Sequence, residues 1–109
     1  MNTCLAGIVP WHFQGLQGVV YGGIVSALLD EAVSHSIKAA GEMAVTGTLE
    51  VRFLKPCRTE IPLRACARIT RKKEKTIETA GELIQDQAIV AEGKAVFVKS
   101  SCEVKDSGT

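Results

Sequence analysis

The sequence predicts an α+β domain in which a five-stranded antiparallel sheet wraps around one long helix, and three observations lead there. From Gly22 to Ala40 the apolar residues Val25, Leu28, Leu29, Ala32, Val33 and Ile37 recur at helical spacing, and no other stretch keeps that period for so long. After Gly41, a natural helix stop, the period falls to two and is kept through four successive segments. Short polar turns part those segments, as expected of antiparallel neighbours whose concave face a single helix covers. At 109 residues the chain is expected to form one domain, residues 1–109, with 100–109 as a loose tail.

Each element has its own signal. Leu5 to Phe13 is apolar and interrupted by Pro10, which suits an edge strand, with Trp11 and His12 in it, or the entry to a sheet. Gln14 to Tyr21 reads as a loop. Gly22 and Gly23 then open the helix, where the first-turn amides lack partners and the backbone dipole favours negative charge. Asp30 follows Leu28 and Leu29 on a segment made to be buried, so its carboxylate needs a partner or a chemical use. Ser34, one turn later, shares its face, whereas Glu31 points about 100° away.

The first strand after the helix reads as unbroken alternation, Val45, Gly47, Leu49, Val51 and Phe53 on one face against Thr46, Thr48, Glu50 and Arg52 on the other, ending at Lys55-Pro56. Leu63, Ala65, Ala67 and Ile69 mark the next, and Arg71 to Lys75 its hairpin. Ile77, Thr79, Gly81 and Leu83 continue the pattern, Asp86-Gln87 turns the chain, and Ile89 to Val98 forms the last strand. One helix cannot cover five strands, so self-association as a homodimer or homotetramer is expected.

Composition sets further bounds. A formal charge of +1 gives no whole-molecule case for nucleic acid, and the apolar run around Ile24 to Leu29 is too short to span a bilayer. Met1-Asn2-Thr3-Cys4 lacks a basic start followed by an apolar block, so a cytoplasmic location is expected. Cys4, Cys57, Cys66 and Cys102 have neither paired spacing nor a histidine cluster nearby; they read as reduced thiols, with no metal site. His12 and His35 read as structural. Arg71, Lys72, Lys73 and Lys75 form either a solvated hairpin or, with Lys55 and Arg58, a surface for phosphates.

Phe13-Gln14-Gly15 before a loop, Gly22-Gly23 at a helix start, Leu28-Leu29-Asp30-Glu31-Ala32, Val45-Thr46-Gly47-Thr48-Leu49 and Arg52-Phe53-Leu54-Lys55-Pro56 stand in a telling order. In that order and spacing the chain resembles the PaaI-like hotdog-fold acyl-CoA thioesterases. The resemblance implies a hotdog fold that hydrolyses an acyl-CoA thioester to free acid and coenzyme A, with two sites at each dimer interface. It implies no cofactor, coenzyme A being part of the substrate. By position, the Gly22 amide polarises the thioester carbonyl, Asp30 is nucleophile or general base, and Thr46 takes the place of a serine or threonine that the family's next strand presents. Gln14, Gly15, Tyr21, Gly23 and Ser34 fall around the substrate.

Two positions depart from the family pattern: Tyr21 stands where His-Gly-Gly is usual, and Gly15 where relatives carry an asparagine or glutamine. A tyrosine does not titrate near neutrality. The alternative function is therefore an acyl-CoA-binding hotdog protein without turnover. Gly22 and Asp30 are also about 12 Å apart along one helix, too far to serve one carbonyl, so a shared site must draw them from different subunits.

Overall fold

A computed structural model describes residues 2–15 and 17–99. Its elements are β1 (Asn2–Gly7), a 3-10 turn (Trp11–Phe13), α1 (Gly22–Ala39), β2 (Ala44–Phe53), β3 (Leu63–Lys72), β4 (Thr76–Gln85) and β5 (Ala88–Lys99). The expected tail and Cys102 lie outside the described residues. All five strands form one antiparallel sheet in the order β1-β3-β4-β5-β2.

The helix buries Val25, Leu29, Ala32, Val33 and Ile37 against the inner face of the sheet. Facing it are Ala65 and Ala67 of β3, Ile77 and Leu83 of β4, and Ala91, Ala95 and Phe97 of β5, all buried. Small residues let the helix come close: a Cβ on Gly81 would stand 3.3 Å from Val33 Cγ1, and one on Gly93 would stand 3.5 Å from Leu29 Cδ1. α1 ends where expected, with Gly41 at φ +78° and its N–H donating to the Lys38 carbonyl.

Four expectations need correction. The first strand stops at Gly7, and Trp11–Phe13 is a 3-10 turn whose Phe13 N–H donates to the Pro10 carbonyl; Pro10, which has no N–H to give a ladder, marks the break. β2 does not neighbour β3: it pairs with β5 at the far edge, and residues 54–62 cross the end of the sheet to reach β3. Buried Gln85 holds that crossing, accepting from the Arg58 N–H at 2.8 Å and donating to the Arg58 and Ile61 carbonyls.

The third correction concerns the cysteines. Cys4 and Cys66 stand opposite each other across β1 and β3 and are joined by a disulfide, so they are not free thiols. Sequence spacing gives no hint of it, since register brings together residues 62 positions apart. Cys57 is free and buried, and burial pushes its thiol pKa up.

The fourth is the phase of β2. Thr46 pairs with Phe97 and Thr48 with Val96, leaving Gly47 as an extra, bulged residue. Paired residues share a face, so the inner face of β2 carries Ala44, Thr46, Leu49, Val51 and Phe53. Val45 belongs to the outer face and is 62% exposed.

Candidate active site

The bulge at Gly47 decides where Thr46 points. In an unbroken strand Thr46 would lie opposite in phase to Leu49 and face away from the helix; one extra residue brings both to the inner side. A Cβ on Gly47 would stand 3.1 Å from the Val96 carbonyl oxygen and 3.2 Å from Val98 Cγ2, so the bulge is tight against β5. The result is a contact between distant segments: Thr46 Oγ1 donates to Asp30 Oδ1 at 3.3 Å. Asp30 is half-buried on the helix and Thr46 is exposed at the sheet edge, which leaves the carboxylate a partner and an open side.

Beside this pair, Glu31, Ser34, Ile37, Thr46 and Phe97 line a groove of about 550 Å³. Ser34 is thus brought to the Thr46 side, as the helical stripe predicts. The groove runs toward Lys38 and Glu42, and the hydrogen bond and 3.0 Å ion pair with Lys72 of β3 lower the Glu42 pKa from its ordinary value. Lys72 therefore serves a defined contact.

A second feature lies at the start of the same helix. Tyr21 is its N-cap without a side-chain cap, and its carbonyl accepts from the Ile24 and Val25 N–H groups at 3.0 and 3.1 Å. The Gly22 and Gly23 N–H groups find no acceptor among the described residues, and both glycines are exposed. They form a donor pair at the positive end of the helix dipole. Gly22 also lines an apolar groove of about 390 Å³ with Val20, Val25, Phe53, Lys55 and Cys57.

Two segments far apart in sequence hold this turn. Gly15 N–H donates to the Val19 carbonyl, Val20 N–H to that of Cys57, Tyr21 N–H to that of Phe13, and Thr59 N–H to that of Gly18. Gln14 spends its side-chain oxygen on the Gly18 N–H at 2.8 Å, so its carbonyl shapes the loop, and its amide NH2 has no partner among the described residues. The loop before the helix is thereby stitched to the crossing between β2 and β3.

The structure brings Asp30, Thr46 and Ser34 together and keeps Gly22, Gly23, Tyr21, Gln14 and Gly15 as a separate group. Phe53, Lys55 and Cys57 join the second group without having been expected in that role. Their signal lay in the Lys55-Pro56 strand end, which returns the chain to the helix start. Gly47 had a clearer sign, because an isolated glycine within a strand pattern often marks a bulge. Among the described residues no cluster of histidine, cysteine or acid side chains is arranged to hold a metal, and no helix is long and apolar enough to cross a membrane.

Comparison with known proteins gives these features a context. The family model of the thioesterase superfamily matches residues 17–92, a span that holds both groups except Gln14 and Gly15. No curated protein sequence matches the chain. Among solved structures, a thioesterase superfamily protein 23% identical superposes with a TM-score of 0.86 over 90% of this chain and 49% of its own. This chain spans about half the length of that relative. A phenylacetic acid degradation-related protein of Ralstonia eutropha JMP134 is 28% identical, with a TM-score of 0.82 over 89% of this chain and 75% of its own. An acyl-CoA hydrolase of Staphylococcus aureus, solved with butyryl coenzyme A, coenzyme A and coenzyme A disulfide, is 24% identical, with a TM-score of 0.83 over 94% and 67%.

Proposed function

The chain belongs to the thioesterase superfamily, and from that premise we propose that it hydrolyses an acyl-CoA thioester to free acid and coenzyme A at a site shared between two subunits. The observation that carries this reading is the Asp30–Thr46 contact on a helix whose first-turn amides are unclaimed. Thr46 holds one carboxylate oxygen and leaves the other free to take a proton from water or to attack the carbonyl carbon itself. Gly22, and Gly23 beside it, donate to the carbonyl oxygen as it gains charge. The C–S bond then breaks, coenzyme A leaves as the thiolate and takes a proton, and water supplies the hydroxyl of the acid. No metal or further cofactor has a step in this scheme.

The two groups must come from different subunits. Gly22 and Asp30 are eight residues apart, or about 12 Å along the helix, while a nucleophile has to stand about 3 Å from the carbon whose oxygen the amide binds. Supporting a second copy, β2 is a ten-residue edge strand, with Met43 just before it and with Val45 and Phe53 within it exposed. A homodimer is the minimal assembly, and a tetramer is compatible with the same shared site. The apolar groove beside Gly22 and the groove beside Thr46 would then meet at one substrate.

Release of free thiol from a panel of acyl-CoA thioesters, wild type beside Asp30→Asn, tests the reaction. Asp30-dependent turnover supports hydrolysis; acyl-CoA binding without turnover would leave the protein as a binding module, the reading that Tyr21 in place of a titratable histidine favours. The shared site has its own test. Asp30→Asn and Gly22→Val subunits, each inactive alone, place both lesions in one site of a mixed dimer and leave the other intact. Mixing should restore part of the activity, and exchange of folded subunits without any recovery would reject the cross-subunit arrangement.

A further inference from the structure

The turn that presents Gly22 is fixed through its backbone, yet the side chain of Tyr21 has no seat in the core. Tyr21 is 56% exposed, and among the described residues its hydroxyl makes no hydrogen bond. Its ring lies over Gly15 instead: a Cβ there would stand 2.8 Å from Tyr21 Cδ1 and 3.1 Å from Cε1. Gly15 has no positive φ, unlike Gly18 at +76°, so backbone conformation does not call for glycine at this position. The ring does.

Backbone geometry connects that seat to the candidate donor. The peptide unit between Tyr21 and Gly22 is planar and trans, so its C=O and N–H point in opposite directions. The Tyr21 carbonyl is directed into the helix by the Ile24 and Val25 N–H groups, so the Gly22 N–H points out of the first turn. Tyr21 N–H meanwhile donates to the Phe13 carbonyl at 3.2 Å, and Gly15 N–H to the Val19 carbonyl at 2.8 Å. The side-chain contact between residues 15 and 21 closes this short loop across its middle.

We propose that Gly15 and Tyr21 act as a matched pair, in which the ring seated on Gly15 sets the aim of the Gly22 amide. Tyr21 is then a positioning residue that works through its ring, and the phenol hydroxyl takes no part. The two departures from the family pattern become one coupled change, a larger ring at 21 taking the room a side chain at 15 would need. This rests on the thioesterase reading for its consequence in turnover, while the pairing itself has a readout that needs no activity.

The experiment compares Gly15→Ala, Tyr21→Ala, Tyr21→Phe and the Gly15→Ala/Tyr21→Ala double variant in thiol release from butyryl-CoA and in the amide resonances of Gly22 and Gly23. Gly15→Ala and Tyr21→Ala should each lower kcat by about tenfold with KM within about twofold, because the contact acts on the transition-state donor and not on uniform binding. The double variant should lose no more than the worse single, since both remove one interaction. Tyr21→Phe should stay within about twofold of wild type. Independent losses that multiply to about a hundredfold, or a Tyr21→Phe as poor as Tyr21→Ala, would overturn the pairing. If wild type releases no thiol from butyryl-CoA or any other acyl-CoA, the hydrolysis reading fails and the resonances decide. Gly22 and Gly23 signals that shift in Gly15→Ala and coincide in Tyr21→Ala and the double variant uphold the pair; signals unmoved by Gly15→Ala reject it.

Discussion

The start and the middle of α1 are built in different ways. At its start, the Gly22 turn is held mainly by nearby residues: Phe13, Gln14, Gly15, Val19 and Tyr21 contact one another within one loop, with Cys57 and Thr59 anchoring it from outside. At its middle, Asp30 depends on Thr46, which reaches it only because Gly47 is squeezed out of the ladder between β2 and β5. The donor half is thus close to a local structure, and the acid half a product of strand register. A change in the sheet should therefore reach the acid and spare the donors.

The largest expected effect removes the acid. Asp30→Asn keeps the side chain's volume and its contact with Thr46 but abolishes the charge, so kcat should fall about a thousandfold or more, about 4 kcal/mol of barrier. The fold and the Gly22 turn should remain, as circular dichroism and the amide resonances would report. Loss of the folded chain instead would mean that Asp30 is structural.

Next in size is a change remote from both halves. The disulfide between Cys4 and Cys66 closes a loop across 62 positions, and Cys4→Ser should lower unfolding free energy by about 2–4 kcal/mol in urea. kcat should hold, because Cys4 and Cys66 lie on the face of the sheet away from the helix, opposite in phase to the buried Ala65 and Ala67. Parallel loss of activity in the folded protein would show that the edge strand is coupled to the site.

Thr46→Ala comes third, with kcat expected to fall about tenfold to a hundredfold, or about 1.4–2.7 kcal/mol, for loss of one orienting hydroxyl. Deleting Gly47 tests the bulge itself: with the extra residue gone, Thr46 stands two positions from Leu49 and still pairs with Phe97, so it stays inward, and kcat should remain within about tenfold of wild type with the Gly22 resonances in place. A loss as large as that of Thr46→Ala would mean that the shape of the bulge, beyond the phase it gives Thr46, sets the contact with Asp30.

The smallest effect belongs to the Glu42–Lys72 pair at the far end of the Thr46 groove. Hydrogen bonding and attraction from Lys72 lower the Glu42 pKa in the folded chain, so the pair's contribution is present above the unfolded carboxylate pKa and is lost as pH falls through the depressed folded one. Glu42→Gln should melt slightly below wild type at pH 7, and the gap should close on acidification. A gap that persists below that range would assign the effect to packing.

The helix and strands were legible because the hydrophobic period is a local property: α1 spans Gly22–Ala39 where residues 22–40 were expected, and β4 and β5 lie close to their expected limits. The glycine pair announced the exposed amides for the same reason, since a helix start leaves its first donors unpaired whatever surrounds it. Periodicity also put Asp30 and Ser34 on one helical face. It gave Thr46 the wrong face, because counting by twos has no memory of a bulge unless the partner strand is known.

What only the tertiary structure decided follows from pairing between distant segments. Placing β2 beside β5 created the bulge at Gly47 and delivered Thr46 to Asp30; placing β1 beside β3 joined Cys4 to Cys66; and returning residues 54–62 past the helix start brought Phe53, Lys55 and Cys57 to Gly22. Each depends on which backbone groups bond to which across the sheet, a choice made by the burial of whole faces and not by any residue's neighbours in the chain.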